Sequence, residues 1–285
     1  MKSSQFFIYK SVLFIGLFVG CASAPKVLFK DAVDTKTKPI RYQDKRTFTF
    51  TDSGVSFSNQ FEGARLNAVD QLNDSIFIVT ILPENEPINH SPYYAFDVWS
   101  SSPKEITLKF KYPEQYKHRY VPKIKSNGVW SVADSLAFQF DENFSSLKLQ
   151  TNPIAKTVSG QELHTSSDVY SWVDQLIKGK ENYVRSKTIG KTKLKRPFMV
   201  LDIYKGSPKN KPVLVLLTRQ HPPEVTGYFA FQAFLSTILE ENQLTTSFLE
   251  HYRILAFPLM NPDGVDLGHW RHNAGGVDTN RDWSF

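Results

Sequence analysis

Residues 213–239 carry the sequence VLVLLTRQHPPEVTGYFAFQAFLSTIL, from which the fold of the C-terminal half can be inferred. The first five residues are apolar at successive positions, a pattern typical of a strand that is covered on both faces in an α/β sheet. The aromatic-rich run at residues 228–239 predicts a buried helix. His221 and Glu224 therefore lie in a strand-to-helix turn, where open α/β sheets commonly bind ligands.

The turn contains two chemically suitable zinc ligands. Histidine and glutamate both bind catalytic zinc, which takes about three protein ligands and leaves one position open. Pro222 and Pro223 restrict φ and lack an N–H, which suits the first turn of a helix. Such a turn would direct His221 and Glu224 at one point. The same pattern is compatible with a surface histidine followed by a glutamate that the helix dipole favours, so the turn alone does not separate the two interpretations.

Further motifs follow the next predicted strand, at residues 253–259. MNPDGV at residues 260–265 indicates a second turn in the corresponding place, and it is followed by HWRHN at residues 269–273 and GGVDTNRDW at residues 275–283. The combination of HPPE, NPDG, WR and NR resembles the zinc metallocarboxypeptidases of the carboxypeptidase A type. It is similar in particular to the bacterial, cytosolic-carboxypeptidase-like branch, in which a β-sandwich precedes the catalytic domain.

The resemblance implies a role for each matching residue. His221 and Glu224 would bind one zinc ion. Arg271 would polarise the scissile carbonyl and stabilise the oxyanion, where concentrated positive charge is effective. Asn280 and Arg281 would hold the C-terminal carboxylate of a peptide substrate, since a planar guanidinium pairs with a carboxylate in bidentate fashion. Without the resemblance, Arg271 is equally well a solvated loop cation, and Asn280 and Arg281 are turn residues.

Neighbouring residues receive a structural interpretation. Asp263 and Gly264 form a turn signal under either interpretation. His269 and His272 flank the WR motif and are interpreted as loop residues rather than ligands. Thr279 stands where the family usually has an aliphatic residue, which is a departure from the pattern.

The resemblance also implies residues that this sequence does not contain. The family uses a third zinc ligand, a histidine downstream of the Asn-Arg pair, and a later glutamate as general base. The other histidines outside the loop, namely His90, His118, His164 and His251, do not lie where the family places a ligand. We therefore expect a C-terminally truncated chain, with an incomplete zinc site and an incomplete mixed α/β sheet with flanking helices. Such a chain should be inactive as it stands, since two ligands and no base serve hydrolysis poorly.

Three functions are considered. The first is a zinc-dependent metallocarboxypeptidase that hydrolyses C-terminal peptide bonds. The second is another zinc amidohydrolase on the same scaffold, acting on N-acyl amino acids or cell-wall peptides. The third is a non-catalytic peptide-binding lipoprotein that keeps carboxylate recognition through Arg281.

The sequence pattern of the N-terminal half predicts an antiparallel β-sandwich at residues 45–152. The α/β domain follows at residues 153–285. Short strand-like runs alternate with turn signals and show no helical periodicity, as at residues 47–51 and 76–82. The resemblance extends into this domain, through FEGA at residues 61–64, YYAFDV at residues 93–98 and the segment that ends in Trp130.

The N-terminus predicts a lipoprotein signal at residues 1–20. An apolar core, VLFIGLFV, precedes Gly20 and Cys21, and it is too short to span a bilayer stably. Cys21 is the single cysteine of the chain, so it has no internal disulfide partner. It is the predicted lipidation site, and residues 21–44 are predicted to be a tether. This favours a lipid-anchored protein of the bacterial cell envelope, at the outer rather than the inner membrane, with a plain secreted protein as the alternative.

The charge of the chain argues against a nucleic-acid partner. The net charge of +6 over 285 residues is diffuse. Its densest cluster, at residues 191–196, interleaves Lys and Arg with Thr and Leu, which is typical of a solvated hairpin.

Overall fold

In the computed structural model of the chain, residues 38–140 and 144–281 are described. The predicted signal segment, Cys21, most of the predicted tether and residues 282–285 lie outside this range. Among the helices of the described residues, none combines the length and the apolar character that a membrane span requires.

Among the described residues, the N-terminal part contains eleven strands: β1 Thr47–Phe50, β2 Val55–Ser58, β3 Ala68–Asn73, β4 Ile76–Thr80, β5 Ala95–Ser100, β6 Lys104–Lys111, β7 Lys123–Ser126, β8 Val129–Val132, β9 Phe138–Gln139, β10 Ser146–Thr151 and β11 Lys156–Ser159. They form one sheet in the order β1-β2-β5-β11-β7-β8 and another in the order β3-β4-β6-β10-β9. All pairings are antiparallel except that of β4 with β6. The predicted sandwich is confirmed.

Alternation of apolar and polar residues places one face of each sheet in a common core. In β6 the buried side chains are Ile106, Leu108 and Phe110, with more exposed residues between them. This is the period-two pattern of a half-buried strand. The sandwich extends beyond the expected boundary at residue 152, because β11 pairs with β5 and β7 in the first sheet. Pro153 lies in the turn between β10 and β11 and does not end the domain.

The second part combines helices and a mixed four-stranded sheet. Its elements are α1 Ser166–Ile177, β12 Val184–Lys191, β13 Pro197–Ile203, β14 Val213–Leu217, α2 Val225–Ile238, α3 Gln243–His251, β15 Arg253–Phe257 and α4 Pro262–Asp266. The strand order is β12-β13-β15-β14, with β14 parallel to β15 and the other pairs antiparallel. The predicted α/β class is confirmed, and a strong capping box at Thr165 and Asp168 starts α1.

The position of β14 differs from the expectation that both of its faces are covered. In the part of the chain that the structure describes, β14 is the edge strand of its sheet. Val213, Val215 and Leu217 are 49%, 52% and 36% exposed on one face, while Leu214 and Leu216 pack on the other side. The run of apolar residues therefore indicates a strand correctly but does not indicate where it lies in the sheet.

Parallel pairing of β14 and β15 brings two turns together. Leu217 lies opposite Phe257, so both strands end at the same edge of the sheet. The backbone N–H of Met260 donates to the carbonyl of Thr218, and that of Asn261 donates to the carbonyl of Arg219. The HPPE turn and the NPDG turn are thus adjacent, as expected where neighbouring parallel strands end.

Candidate metal and substrate site

His221 and Glu224 face each other in the turn between β14 and α2. His221 Nδ1 lies 2.7 Å from Glu224 Oε1, and the Glu224 N–H donates to the His221 carbonyl at 3.2 Å. The His221 side chain is 2% exposed and that of Glu224 is 56% exposed. The structure therefore brings together the two side chains that the resemblance assigns to zinc.

A buried aspartate occupies the other side of the imidazole. Asp278 Oδ1 lies 2.9 Å from His221 Nε2, and Asp278 Oδ2 accepts a hydrogen bond from Nε of Arg271. The Asp278 side chain is 3% exposed. Sequence analysis did not single out Asp278. Its only signal in the sequence is that it precedes the NR motif by two positions, and nothing local shows that it faces a histidine.

The hydrogen bonds between His221 and Asp278 favour the protonated imidazole and the ionised carboxylate. Burial acts to raise the pKa of Asp278, but the hydrogen bonds from His221, Asn280 and Arg271 outweigh it and hold the pKa well below its usual range. Burial acts to lower the pKa of His221, but the hydrogen bonds with Asp278 and Glu224 leave it raised.

The geometry of the imidazole fits part of a zinc site. If Nε2 carries a proton and donates to Asp278, Nδ1 presents a lone pair to Glu224 at 2.7 Å, and two acceptors at that distance repel each other. A second proton on the imidazole or a metal cation between Nδ1 and Glu224 removes the repulsion. Histidine ligands of metals commonly donate their other N–H to a carboxylate in this way. The donor set therefore accepts a cation at this point.

Arg271 is anchored and is not a solvated loop cation. Its side chain is 11% exposed and pairs with Asp278, and its backbone N–H donates to Glu84 Oε1 at 2.9 Å. His221, Asp278 and Arg271 thus form one connected chain of polar contacts, with Glu224 at its end. The role of Arg271 toward a substrate carbonyl stays a prediction.

Asn280 and Arg281 lie on the exposed side of the same loop. The Asn280 N–H donates to Asp278 Oδ1 at 2.9 Å, and the Arg281 N–H donates to the Asp278 carbonyl at 2.9 Å. The Arg281 guanidinium is exposed and donates to the Asn280 carbonyl at 3.3 Å. Asp278 therefore organises the turn that presents both residues, whose role toward a substrate carboxylate stays a prediction.

His269 and His272 are buried, and their hydrogen bonds lead away from the HPPE turn. His269 Nδ1 contacts the His272 carbonyl at 2.8 Å, and His272 Nδ1 contacts Glu84 Oε1 at 3.1 Å. Across residues 38–140 and 144–281, no group of three or more His, Cys, Asp or Glu side chains could hold a metal ion. The assignment of His221 and Glu224 as zinc ligands stays a prediction.

Comparison with known proteins shows what this chain is similar to. Residues 169–285 match the zinc carboxypeptidase family, peptidase family M14. Mouse cytosolic carboxypeptidase 6 is 29% identical over 126 residues, covering 42% of this chain and 23% of that protein. Mouse cytosolic carboxypeptidase 3 is 22% identical over 262 residues, covering 82% of this chain and 26% of that protein.

A solved structure shares the fold over both parts of the chain. A metallo-carboxypeptidase from Burkholderia cenocepacia superimposes with a TM-score of 0.70 at 14% identity, covering 80% of this chain and 62% of that one. The match to the zinc carboxypeptidase family is carried by residues 169–285 of this chain. It spans about a quarter of the length of the two mouse relatives and about three fifths of the solved structure.

Proposed function

We propose that this chain is part of a zinc-dependent metallocarboxypeptidase that hydrolyses C-terminal peptide bonds. The observation that carries the proposal is the arrangement of His221, whose Nδ1 faces Glu224 while Nε2 bonds with buried Asp278. This arrangement lies inside the segment that matches the family. His221 and Glu224 would hold one zinc ion.

The residues around the proposed zinc position would bind the substrate and orient the ligand side chains. When bound, zinc supplies Lewis-acid polarisation of a carbonyl and a nucleophile derived from water. Asp278 holds the His221 ring and, through its second oxygen, the guanidinium of Arg271. Arg271 would offer positive charge to the carbonyl oxygen, where negative charge develops in the transition state. Arg281, being exposed beside the site, would pair with the terminal carboxylate.

We propose that the third ligand and the general base are supplied by sequence that follows Phe285 in a longer polypeptide. Two observations support this. The residues that the structure describes provide no three-ligand group, and the chain covers 62% of the solved metallo-carboxypeptidase. On this proposal the 285-residue chain by itself binds zinc weakly and hydrolyses little.

Metal content and product release test the function. Zinc should be measured by mass spectrometry in the 285-residue chain and in the polypeptide extended along its reading frame, and amino acids released from peptide C-termini should be assayed. His221→Ala should abolish zinc binding and release, whereas Asp174→Asn, an exposed change on α1, should leave both unchanged. Zinc retention in His221→Ala would refute the ligand assignment. Release from N-acyl amino acids or cell-wall peptides, but not from ordinary peptides, would favour the amidohydrolase.

A second candidate is a non-catalytic peptide-binding protein. It is favoured by the exposure of Arg281, which lies three residues after Asp278, the hydrogen-bond partner of His221. Peptide binding by the 285-residue chain that is lost on Arg281→Ala, with no hydrolysis by the extended polypeptide, would support this candidate over the enzyme.

We also propose that Cys21 carries a lipid that anchors the protein in the cell envelope, at the outer membrane of a double-membrane bacterium. The support is the sequence of the signal segment alone. Incorporation of radiolabelled fatty acid into the wild type but not into Cys21→Ser would agree with it. Equal labelling of the two would contradict it, and release of unlabelled wild type into the medium would favour a secreted protein.

A further inference from the structure

The loop that carries Arg271, at residues 268–272, packs against the β-sandwich through Trp270. Trp270 is fully buried among the sandwich core residues, with its ring 5.2 Å from that of Tyr116 and 6.3 Å from that of Tyr112. Its indole N–H donates to the carbonyl of Tyr93 at 2.9 Å. Because protein interiors are close-packed, the buried Trp270 ring fixes the position of the backbone directly before Arg271.

One carboxylate from the sandwich holds the backbone of this segment. Glu84, in the connection after β4, accepts hydrogen bonds from three successive backbone N–H groups: Trp270 to Oε2 at 2.8 Å, and Arg271 and His272 to Oε1 at 2.9 Å and 2.7 Å. His272 Nδ1 also contacts Oε1, at 3.1 Å. Successive N–H groups directed at one anion form a concave anion-binding nest.

The charge of Glu84 is maintained in the interior. Its side chain is 0% exposed, and burial acts to raise its pKa. The hydrogen bonds from His272 and the charge of Arg65 act against burial, and the pKa lies well below the usual range. Arg65, which is also buried, donates from Nε to the Gly268 carbonyl at 2.7 Å. Two buried ionic groups of the sandwich thus bind the main chain of one loop.

A buried carboxylate of this kind determines the position of the backbone that it binds more than it adds to the stability of the fold. Removing an ion from water is costly, and replacing a buried ion pair with well-packed apolar residues often leaves the stability of a protein unchanged or raises it. The hydrogen bonds of Glu84, however, are satisfied by only one placement of the loop backbone. A carboxylate that binds three adjacent N–H groups therefore specifies where the Cα atom of Arg271 lies.

We propose that Glu84 is a positioning residue for Arg271, so that the sandwich is part of the active-site scaffold of the enzyme. Glu84 fixes the main chain of Arg271, and Asp278 fixes the direction of its guanidinium. The functional consequence rests on the carboxypeptidase proposed above, whereas the positioning of Arg271 does not depend on zinc or on turnover.

The first test follows the Arg271 side chain directly in the 285-residue protein. The Nε–H of Arg271 should give a protected signal in ¹⁵N-correlated NMR spectra, assigned by its loss in Arg271→Lys. Glu84→Gln places an NH₂ group against one of the N–H donors, so it should shift or broaden this signal. Glu86→Gln, a change two residues away at a carboxylate that is 33% exposed, should not.

Glu84→Asp keeps the charge but shortens the side chain, and it provides a second variant if Glu84→Gln folds poorly. It should shift the same signal less than Glu84→Gln does. An unchanged Arg271 signal in a folded Glu84 variant would overturn the proposal, even if that variant had lost stability. So would the lack of a protected signal in the wild type.

The second test uses turnover in the extended polypeptide. Displacement of a group that stabilises the transition state should lower kcat by roughly 10- to 100-fold, with KM and zinc content within about twofold of the wild type. Glu84→Asp should recover part of the loss. Wild-type kcat in Glu84→Gln would overturn positioning. If the extended wild type neither binds zinc nor turns over, the proposed function fails, and the NMR result still decides the role of Glu84.

Discussion

Asp278 Oδ1 lies 2.9 Å from Nε2 of His221, although 57 residues separate the two in the chain. The contact joins the loop of the NR motif to the strand-to-helix turn of the HPPE motif. It leaves Nδ1 as the nitrogen that faces Glu224. One hydrogen bond therefore sets both the orientation of the ring and the nitrogen available for a metal.

Asp278→Asn should weaken zinc binding. An asparagine can no longer offer a charged acceptor on both sides, so the His221 ring loses its orientation and Arg271 loses its ion pair. Loss of such an outer carboxylate typically lowers metal affinity by about 10- to 100-fold. Competition against a chromophoric chelator measures the dissociation constant. Asp174→Asn is the matched control, and equal affinities for the two variants would rule out this function of Asp278.

Arg196→Ala should destabilise the fold. The Arg196 guanidinium pairs with Asp263 at 3.2 Å and with Asp266 through Nε, and the two carboxylates are 3% and 1% exposed. Its removal would leave two buried charges without their cation, a change that costs roughly 3 kcal/mol or more. Urea unfolding followed by circular dichroism measures the loss.

The exposed Lys193, on the same hairpin, provides the control for Arg196. Lys193→Ala should change the free energy of unfolding by no more than about 0.5 kcal/mol. If Arg196→Ala were equally mild, the ion pairs around Asp263 and Asp266 would not be holding the hairpin to α4.

His118 should make the stability of the fold depend on pH. It is enclosed by the hydroxyl groups of Tyr94 and Tyr112 and by the carbonyl of Tyr120. Burial lowers its pKa from 6.5 to about 4. The unfolded chain therefore binds a proton between pH 6.5 and 4 that the folded chain does not bind. Stability should fall with decreasing pH over this window, with a slope of up to about 1.4 kcal/mol per pH unit from this group.

Unfolding by urea at several values between pH 4 and 7 measures this dependence. His118→Gln should lower stability at pH 7, because it disturbs the tyrosine cluster, but it should flatten the curve between pH 6.5 and 4. His251→Gln, at an exposed position, should keep the wild-type slope. A slope that is the same with and without His118 would contradict the assignment.

Val215→Lys should reduce self-association. Val213, Val215 and Leu217 form an exposed apolar row on β14, which is an edge strand in the described part of the chain. Charged residues on such strands oppose edge-to-edge pairing. Sedimentation velocity should show less oligomer, with unfolding free energy within about 0.5 kcal/mol of the wild type. Leu136→Lys, at an 86% exposed loop position, should leave association unchanged.

Sequence patterns predicted the elements whose side chains alternate strongly or repeat along a buried face. β1, β4, β14 and α2 were recognised for this reason. Strand β8 was missed because its residues are exposed or half-buried, so apolar alternation is weak. Helix α3 was missed because Thr245 and Thr246 lower its helical tendency, although Asn242 and Thr245 form a capping box that could have indicated its start.

The sequence by itself determined the local chemistry: a histidine and a glutamate three positions apart after an apolar strand, two restrictive prolines, and Arg271 within a specific set of motifs. Backbone propensity and turn formation act over a few residues, so such features can be inferred from neighbours in the chain. Only the tertiary structure decided which distant side chains form hydrogen bonds with these residues. Asp278 meets His221, and Glu84 meets the Arg271 loop across 187 residues, because the packing of two domains, and not a local pattern, determines which distant side chains share a buried space.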